Sequence, residues 1–317
     1  GLLDRLSQQP GVTDILVNGH TDVWFVDSTG MHKANLAWES ESELRDFAAH
    51  LAHECRRRLD EAQPFLDVQV ANKFRIHVVI PPLSNQGTCI SIRIAQPQLT
   101  NLIDLREREM FTGEAEQILK KLVKSGTSFL ISGGTGTGKT TLLSALLAEV
   151  SPQQRIIAIE DTQELSVAHP HFVSMQSRAA NSEGAGVITL QDLVRQALRM
   201  RPDRLILGEV RGVEIIDLVT ALNTGHSGGC ATVHANSAAD VPARIVSLGL
   251  LAGIPMAATH QLFASAIKAI IELVQLPNGL RKISSINSVE LVNGVAKVTK
   301  LFAWTGNARV IIEQSTL

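Results

Sequence analysis

The densest chemistry in this sequence is Gly133-Gly134-Thr135-Gly136-Thr137-Gly138-Lys139-Thr140-Thr141. It satisfies GxxxxGK[ST] with both flanks in place. A strand-like Phe129-Leu130-Ile131 precedes it and a helix-forming Leu142–Leu147 follows it. Glycines let successive backbone N–H groups point into one concavity, and the helix start adds free donors and a dipole. Lys139 supplies a point charge for the outer phosphates of a nucleotide, and the Thr140 hydroxyl is placed to bind Mg²⁺. This is the chemistry of holding a triphosphate, with ATP as the expected ligand.

A phosphate cradle alone does not choose a reaction; the ends of the other strands do. Glu160-Asp161, then Glu164, follow the apolar run Ile156–Ile159. Gly208-Glu209 follows Leu205–Leu207. Carboxylates there orient water and hold Mg²⁺, so Glu209 is expected to orient or deprotonate the attacking water. Glu160 is the second catalytic candidate. Thr140, Glu160 and Asp161 are the expected metal-side residues, since the strand-end position usual for a metal-binding Asp is Gly208. His226 and His234 flank a further strand, Cys230–Val233, and are phosphate-sensing candidates; only His234, at the strand's C-terminal end, faces the expected site. The guanine-reading Asn-Lys-x-Asp pattern is absent, which disfavours GTP.

The elements that position these residues read as α/β. Strands Phe129–Ser132, Ile156–Ile159, Leu205–Leu207 and Cys230–Val233 alternate with helices Thr140–Val150, Leu190–Met200 and Glu214–Leu222. Such alternation implies a mostly parallel sheet with its chemistry beyond the strands' C-terminal ends. The chain then reads as helical to about Gln275 and closes with strands near Ile283–Val289 and Lys297–Phe302. The N-terminal third reads as α+β. It has a hairpin through Asn18-Gly19, an amphipathic helix over 41–59 behind a Ser40/Glu43 capping box, and strands Ile76–Ile80 and Thr88–Ile94. Ala95–Thr112, with Pro97 and a charged run, reads as a linker. The expected division is an N-terminal domain over 1–100, a linker over 101–112 and a second domain over 113–317.

Composition narrows the classes. The 317 residues carry 29 Lys+Arg against 31 Asp+Glu, a net charge of −2, which argues against a general polyanion or DNA binder. With 44% hydrophobic and 19% charged residues the chain is neither disordered nor a coiled coil. Three dispersed cysteines argue against a disulfide framework and fit a reducing compartment. The longest stretch free of charge and His in the most apolar region, Ile245–Thr259, contains Pro255 and is shorter than the about 20 residues of a membrane span, so a soluble chain is expected. The chain opens on Gly1 rather than Met, so it is expected to be truncated or to lack a leader.

In combination these motifs resemble the type II/type IV secretion ATPase superfamily. The Walker A motif is Gly133–Thr141, the Asp box resembles Ile159–Glu164, the Walker B motif resembles Leu198–Gly212, and the His box resembles Thr224–His226 through His234–Asn236. Val12–Gly19, Arg58-Leu59-Asp60-Glu61 with Pro64, Arg75-Ile76-His77, Ile80-Pro81-Pro82-Leu83 and Ile92-Arg93 are similar to the CpaF/TadA-type subgroup, which powers tight-adherence (Flp) pilus assembly. The resemblance implies a hexameric, Mg²⁺-dependent, cytoplasmic ATPase with a RecA-like core and a smaller N-terminal domain. It would be held at the inner membrane through a platform protein; the near-neutral charge and the lack of a basic, aromatic-interleaved stripe make direct nucleic-acid binding unexpected. The resemblance further implies that Arg75 and Arg93 reach the phosphates and that Arg195 and Arg211 are interface or sensor residues. Two features depart from the family pattern: Asn72-Lys73-Phe74-Arg75 stands where Asp-Gly-Ser-Arg is usual, and the C-terminal arginine-rich stretch is reduced to Arg281-Lys282. The rival readings are a conjugation-type or DNA-linked translocase and a nucleotide-dependent scaffold that does not hydrolyse.

Overall fold

Short strands with alternating burial, such as Asp14–Asn18, give the first sheet one covered face. The computed structural model describes residues 3–27, 29–70, 74–94, 101–178, 186–225 and 227–304. His226, Asn72-Lys73 and the first part of the expected linker lie outside these. The chain divides into two compact units near Pro97.

In the first unit a short helix α1 (Asp4–Ser7) precedes β1 (Asp14–Asn18), β2 (Val23–Asp27) and β3 (Gly30–Lys33). Helix α2 (Glu41–Glu54) follows, then β4 (Phe65–Val70), β5 (Phe74–Val79) and β6 (Cys89–Ile94). The antiparallel sheet runs β3-β2-β1-β6-β5-β4. Ile15, Val17, Ile76, Val78, Ile90 and Ile92 alternate onto the face that packs against Leu44, Ala48 and Ala52 of α2. Ser40 caps α2 by accepting the Glu43 N–H. The helix stops at Glu54, short of the expected residue 59, because Arg56 adopts a left-handed φ of 54°.

The second unit comprises α3 (Leu102–Glu107), α4 (Gly113–Lys124), β7 (Phe129–Gly133), α5 (Lys139–Ala148), β8 (Ile156–Glu160), β9 (Phe172–Gln176), α6 (Leu190–Leu198), β10 (Arg204–Val210), α7 (Glu214–Asn223), β11 (Cys230–Val233), α8 (Val241–Leu251), α9 (Met256–Ala266), β12 (Ala269–Gln275), β13 (Arg281–Val292) and β14 (Val295–Ala303). The sheet order is β14-β13-β12-β7-β11-β10-β8-β9. The six strands from β12 to β9 are parallel, and β13 and β14 add antiparallel strands at one edge. Both faces are covered, so the central strands are buried and mostly apolar. Leu130, Ile157, Leu205 and Leu207 face α6–α9, while Phe129, Ile131, Ile156 and Ile206 face α3–α5.

Two expectations are corrected. Residues 101–112 do not form a linker: Asn101 caps α3 in a capping box, and Leu102, Leu105, Met110 and Phe111 are buried in the second unit's core. Two leucines three apart are too short a pattern to show as a period. The chain is also not helical to Gln275. It leaves α9 at Ala266, and Ala269–Gln275 enters the sheet between β7 and β13, where burial on both faces erases the alternation that marks a strand. Strands β3, β4 and β9 also lie beyond the sequence expectations. Among the described residues no helix is long and apolar enough to cross a membrane.

Candidate active site

The phosphate loop joins β7, fully buried between β11 and β12, to the N-terminus of α5. Two of its glycines are obligatory. Gly133 has φ +152°, and a Cβ there would meet the Leu273 carbonyl oxygen at 2.5 Å and Thr137 Oγ1 at 2.9 Å. Gly138, at φ +91°, is the left-handed N-cap of α5 and leaves the helix's first N–H groups without a side-chain cap. Thr137 Oγ1 donates to the Gly134 carbonyl at 2.9 Å, which closes the loop on itself. The result is a backbone cradle at a helix start, the geometry that collects phosphate. Lys139 is 8% exposed, and its Nζ donates to the carbonyls of Gly133 (3.0 Å) and Gly134 (2.7 Å). Burial pulls its pKa down, while Glu209 and Glu164 oppose that shift.

Glu209 is brought beside this lysine by a break in the sheet. The register between β10 and β11 shifts between Leu207 and Val210. Such a bulge re-aims the side chain it carries. Thr232 Oγ1 donates to the Gly208 carbonyl at 2.6 Å and holds the bulge in place. Glu209 Oε1 then lies 2.7 Å from His234 Nε2, which is itself 3.4 Å from Lys139 Nζ. Glu209 Oε2 accepts from Arg211 Nε at 2.7 Å and also pairs with Arg211 Nη2. The His234 pKa is lowered, chiefly by burial and then by Lys139 and Arg211, against the pull of Glu209.

Glu160 ends the neighbouring strand. It is 3% exposed, and its Oε1 accepts the N–H groups of Glu164 and Leu165 at 3.0 Å each. Its Oε2 is buried without a hydrogen-bond partner. Burial pushes its pKa up to about 7 in spite of the two amide donors. The glycine at 208 follows from this packing. A Cβ there would sit 2.6 Å from Glu160 Cγ, so Glu160 occupies the room that an Asp at 208 would need. Thr140 Oγ1 is 3.5 Å from Glu164 Oε2. Among the described residues no cluster of three or more His, Cys, Asp or Glu side chains could hold a metal ion. Glu160 Oε2, buried without a partner, and the Thr140 hydroxyl at the start of α5 are the candidate groups for Mg²⁺ arriving with a nucleotide. Asp161 is more exposed; its Oδ1 accepts from Ser177 Oγ at 2.9 Å and its Oδ2 is 3.8 Å from Arg211 Nη1.

The candidate arginines separate. Arg211 belongs to this cluster and bridges Glu209 and Asp161. Arg195 is instead 3.7 Å from Asp217 of α7, away from the cluster. Arg75 and Arg93 are cross-strand partners in the first unit's sheet, paired with Asp67 and Asp14 at 3.2 Å each. One supporting residue escaped the sequence reading. Glu214 is 6% exposed, and its Oε1 accepts the N–H groups of Arg211 and Gly212 at 2.7 Å each, so it fixes the turn that carries Arg211. Its signal is an acidic residue three positions after Arg211 at the opening of an apolar helix.

A glycine-rich loop between a central parallel strand and a helix, with carboxylates, histidine and arginine gathered from neighbouring strand ends, defines a P-loop nucleotide-binding protein with a RecA-like core. The family model described as type II/IV secretion system protein matches residues 1–304, and the chain belongs to that family. It is 42% identical over 310 residues to the putative conjugal transfer protein Rv3659c of Mycobacterium tuberculosis, covering 96% of this chain and 88% of the relative. It is 32% identical over 260 residues to the type IV secretion system protein PtlH of Bordetella pertussis, covering 74% of this chain and 75% of the relative. Among solved structures, the ADP-bound pilus retraction motor PilT aligns with a TM-score of 0.61 and 18% identity, over 98% of this chain and 82% of that one. The Legionella pneumophila ATPase DotB aligns with a TM-score of 0.61 and 17% identity, over 91% and 79%. These two likenesses bear on the fold.

Proposed function

We propose that the chain is an ATP-hydrolysing motor subunit of a secretion or pilus-assembly system. The convergence of Lys139, His234, Glu209 and Arg211 beside the phosphate loop carries this reading. The loop amides and Lys139 bind the triphosphate, with Lys139 exchanging its loop carbonyls for phosphate oxygens. Thr140 and Glu160 would hold Mg²⁺, whose chemistry is to neutralise charge developing on the phosphates. Glu209 orients the attacking water. His234 and Arg211 each contact one of its oxygens beside the phosphate loop, which makes both sensor candidates for a bound phosphate. Arg75 and Arg93 are the candidate phosphate-contacting arginines of the first unit. They stand directly opposite each other across β5 and β6, each beside an aspartate, Asp67 and Asp14, that it would exchange for phosphate oxygens.

The motor reading extends to a hexameric ring, domain closure and opening over the nucleotide, and a cytoplasmic position on an inner-membrane platform. The N-terminal motifs support a tight-adherence pilus role. The 42% identity to putative conjugal transfer proteins favours a conjugation-type system as the second reading. A phosphate-release assay tests the core of the proposal. Lys139→Ala should abolish turnover, and Glu209→Gln should retain nucleotide binding while lowering kcat by about 10²–10⁴-fold. Normal turnover in Glu209→Gln would remove the assignment of that residue.

A further inference from the structure

The phosphate loop has a side wall made from elements remote in sequence. A Cβ built on Gly138 would lie 3.3 Å from both Arg281 Cδ and Met110 Cε, and one on Gly136 would lie 3.7 Å from Gln275 Oε1. The arginine's alkyl stem, the methionine methyl and the glutamine amide therefore lie beside the loop on its approach to Lys139. The sheet fixes all three. Gln275 and Arg281 face each other at the end of the β12–β13 pair, and the Met110 carbonyl accepts the Ile283 N–H at 2.8 Å. Strand alternation separates Arg281 from its neighbour. Lys282 reaches Glu109 Oε2 at 3.3 Å and sits 5.6 Å over the Trp304 ring. Arg281 is exposed, and no carboxylate among the described residues pairs with it.

An unpaired guanidinium whose stem rests on a phosphate cradle is placed to meet anionic oxygens, and its planar donors suit phosphate in a way a lysine's do not. The geometry points to Arg281 as a second cation of the nucleotide site. It binds the polyphosphate that Lys139 collects, with its stem beside Gly138. This rests on the nucleotide-binding reading above. The contact is to ground-state phosphates, so its loss weakens binding and leaves the chemical step largely intact.

The test is calorimetric titration of ADP, with steady-state turnover of ATP, for the wild type, Arg281→Met and Arg281→Lys. Arg281→Met keeps an apolar stem against Gly138 and removes the charge. It should raise the Kd for ADP and the KM for ATP by about 10–100-fold, the equivalent of one charge-assisted hydrogen bond, with kcat within about threefold. Arg281→Lys should fall between the two. The nucleotide-free melting temperature of both variants should match the wild type, because the side chain is exposed and unpaired. ADP binding by Arg281→Met within about twofold of the wild type would show the contact to be packing alone and overturn the assignment. A collapse of kcat at unchanged KM would overturn it as well. If the wild type itself bound no ADP, the nucleotide reading would fail before Arg281 came into question.

Discussion

One methyl group added at Gly208 tests whether Glu160 is positioned as the structure shows. The new Cβ would fall 2.6 Å from Glu160 Cγ and 3.2 Å from its Cδ. Carbon atoms prefer about 3.5–4.0 Å, so the Glu160 side chain must retreat by about an ångström. It cannot do so freely, because its Oε1 holds the Glu164 and Leu165 amides at 3.0 Å. Overpacking of this kind costs about 1–3 kcal/mol. At about 2–4 °C per kcal/mol for a domain of this size, Gly208→Ala should lower the melting temperature by about 2–12 °C. It should also depress ATP turnover by more than about tenfold, since a displacement of an ångström in a positioned site can cost about 10²-fold. Differential scanning fluorimetry and phosphate release read the two effects. Shortening the partner should relieve the clash: in Glu160→Ala/Gly208→Ala the stability losses should be clearly less than additive. Wild-type stability and turnover in Gly208→Ala, or strictly additive losses in the double variant, would refute the reasoning.

Glu160 also predicts a pH effect. Its folded pKa of about 7 lies above the ordinary 4.5, so the native state binds the proton more tightly than the unfolded chain. The resulting stability is fully present below about pH 4.5 and is lost as pH rises through 7. Melting temperatures without nucleotide should therefore fall more steeply from pH 5 to 8 in the wild type than in Glu160→Gln; parallel curves would contradict this. At the opposite end of β10, buried Arg204 donates to the Val123 carbonyl at 2.9 Å and to Gln154 Oε1 at 3.0 and 3.1 Å. Arg204→Met should cost about 2–4 kcal/mol in denaturant melts by leaving buried acceptors unpaired, with the KM for ATP unchanged. A shift in KM at wild-type stability would show that Arg204 belongs to the nucleotide site. In Glu214→Gln, which keeps the acceptor for the Arg211 and Gly212 amides, kcat should stay within about threefold of the wild type; Glu214→Asp, one methylene shorter, should lose more than about tenfold. The reverse order would show that charge, and not reach, is what matters at 214.

The phosphate loop was legible because its requirements are local: glycines at fixed spacing, a lysine, and apolar flanks on both sides. The four central strands and Glu209 were legible for the same reason, as short apolar runs ending in polar residues. What escaped depends on distant partners. Gly208 reads as a missing aspartate until Glu160 is seen in its space. The bulge that aims Glu209 exists only in the pairing of β10 with β11. Met110, Gln275 and Arg281 meet the loop from segments far apart in sequence. β12 reads as helix because burial on both faces removes its period, and α3 reads as linker because its two buried leucines span a single turn.

The proposed motor depends on Lys139 and the loop amides gathering a triphosphate next to Glu209. Titration of Mg²⁺–ATP into Glu209→Gln, monitored by calorimetry, tests this most directly. Binding should saturate near one nucleotide per chain without phosphate release, and the heat should vanish when Lys139→Ala is added to the same chain. Saturable binding that persists undiminished without the Lys139 amine would contradict it.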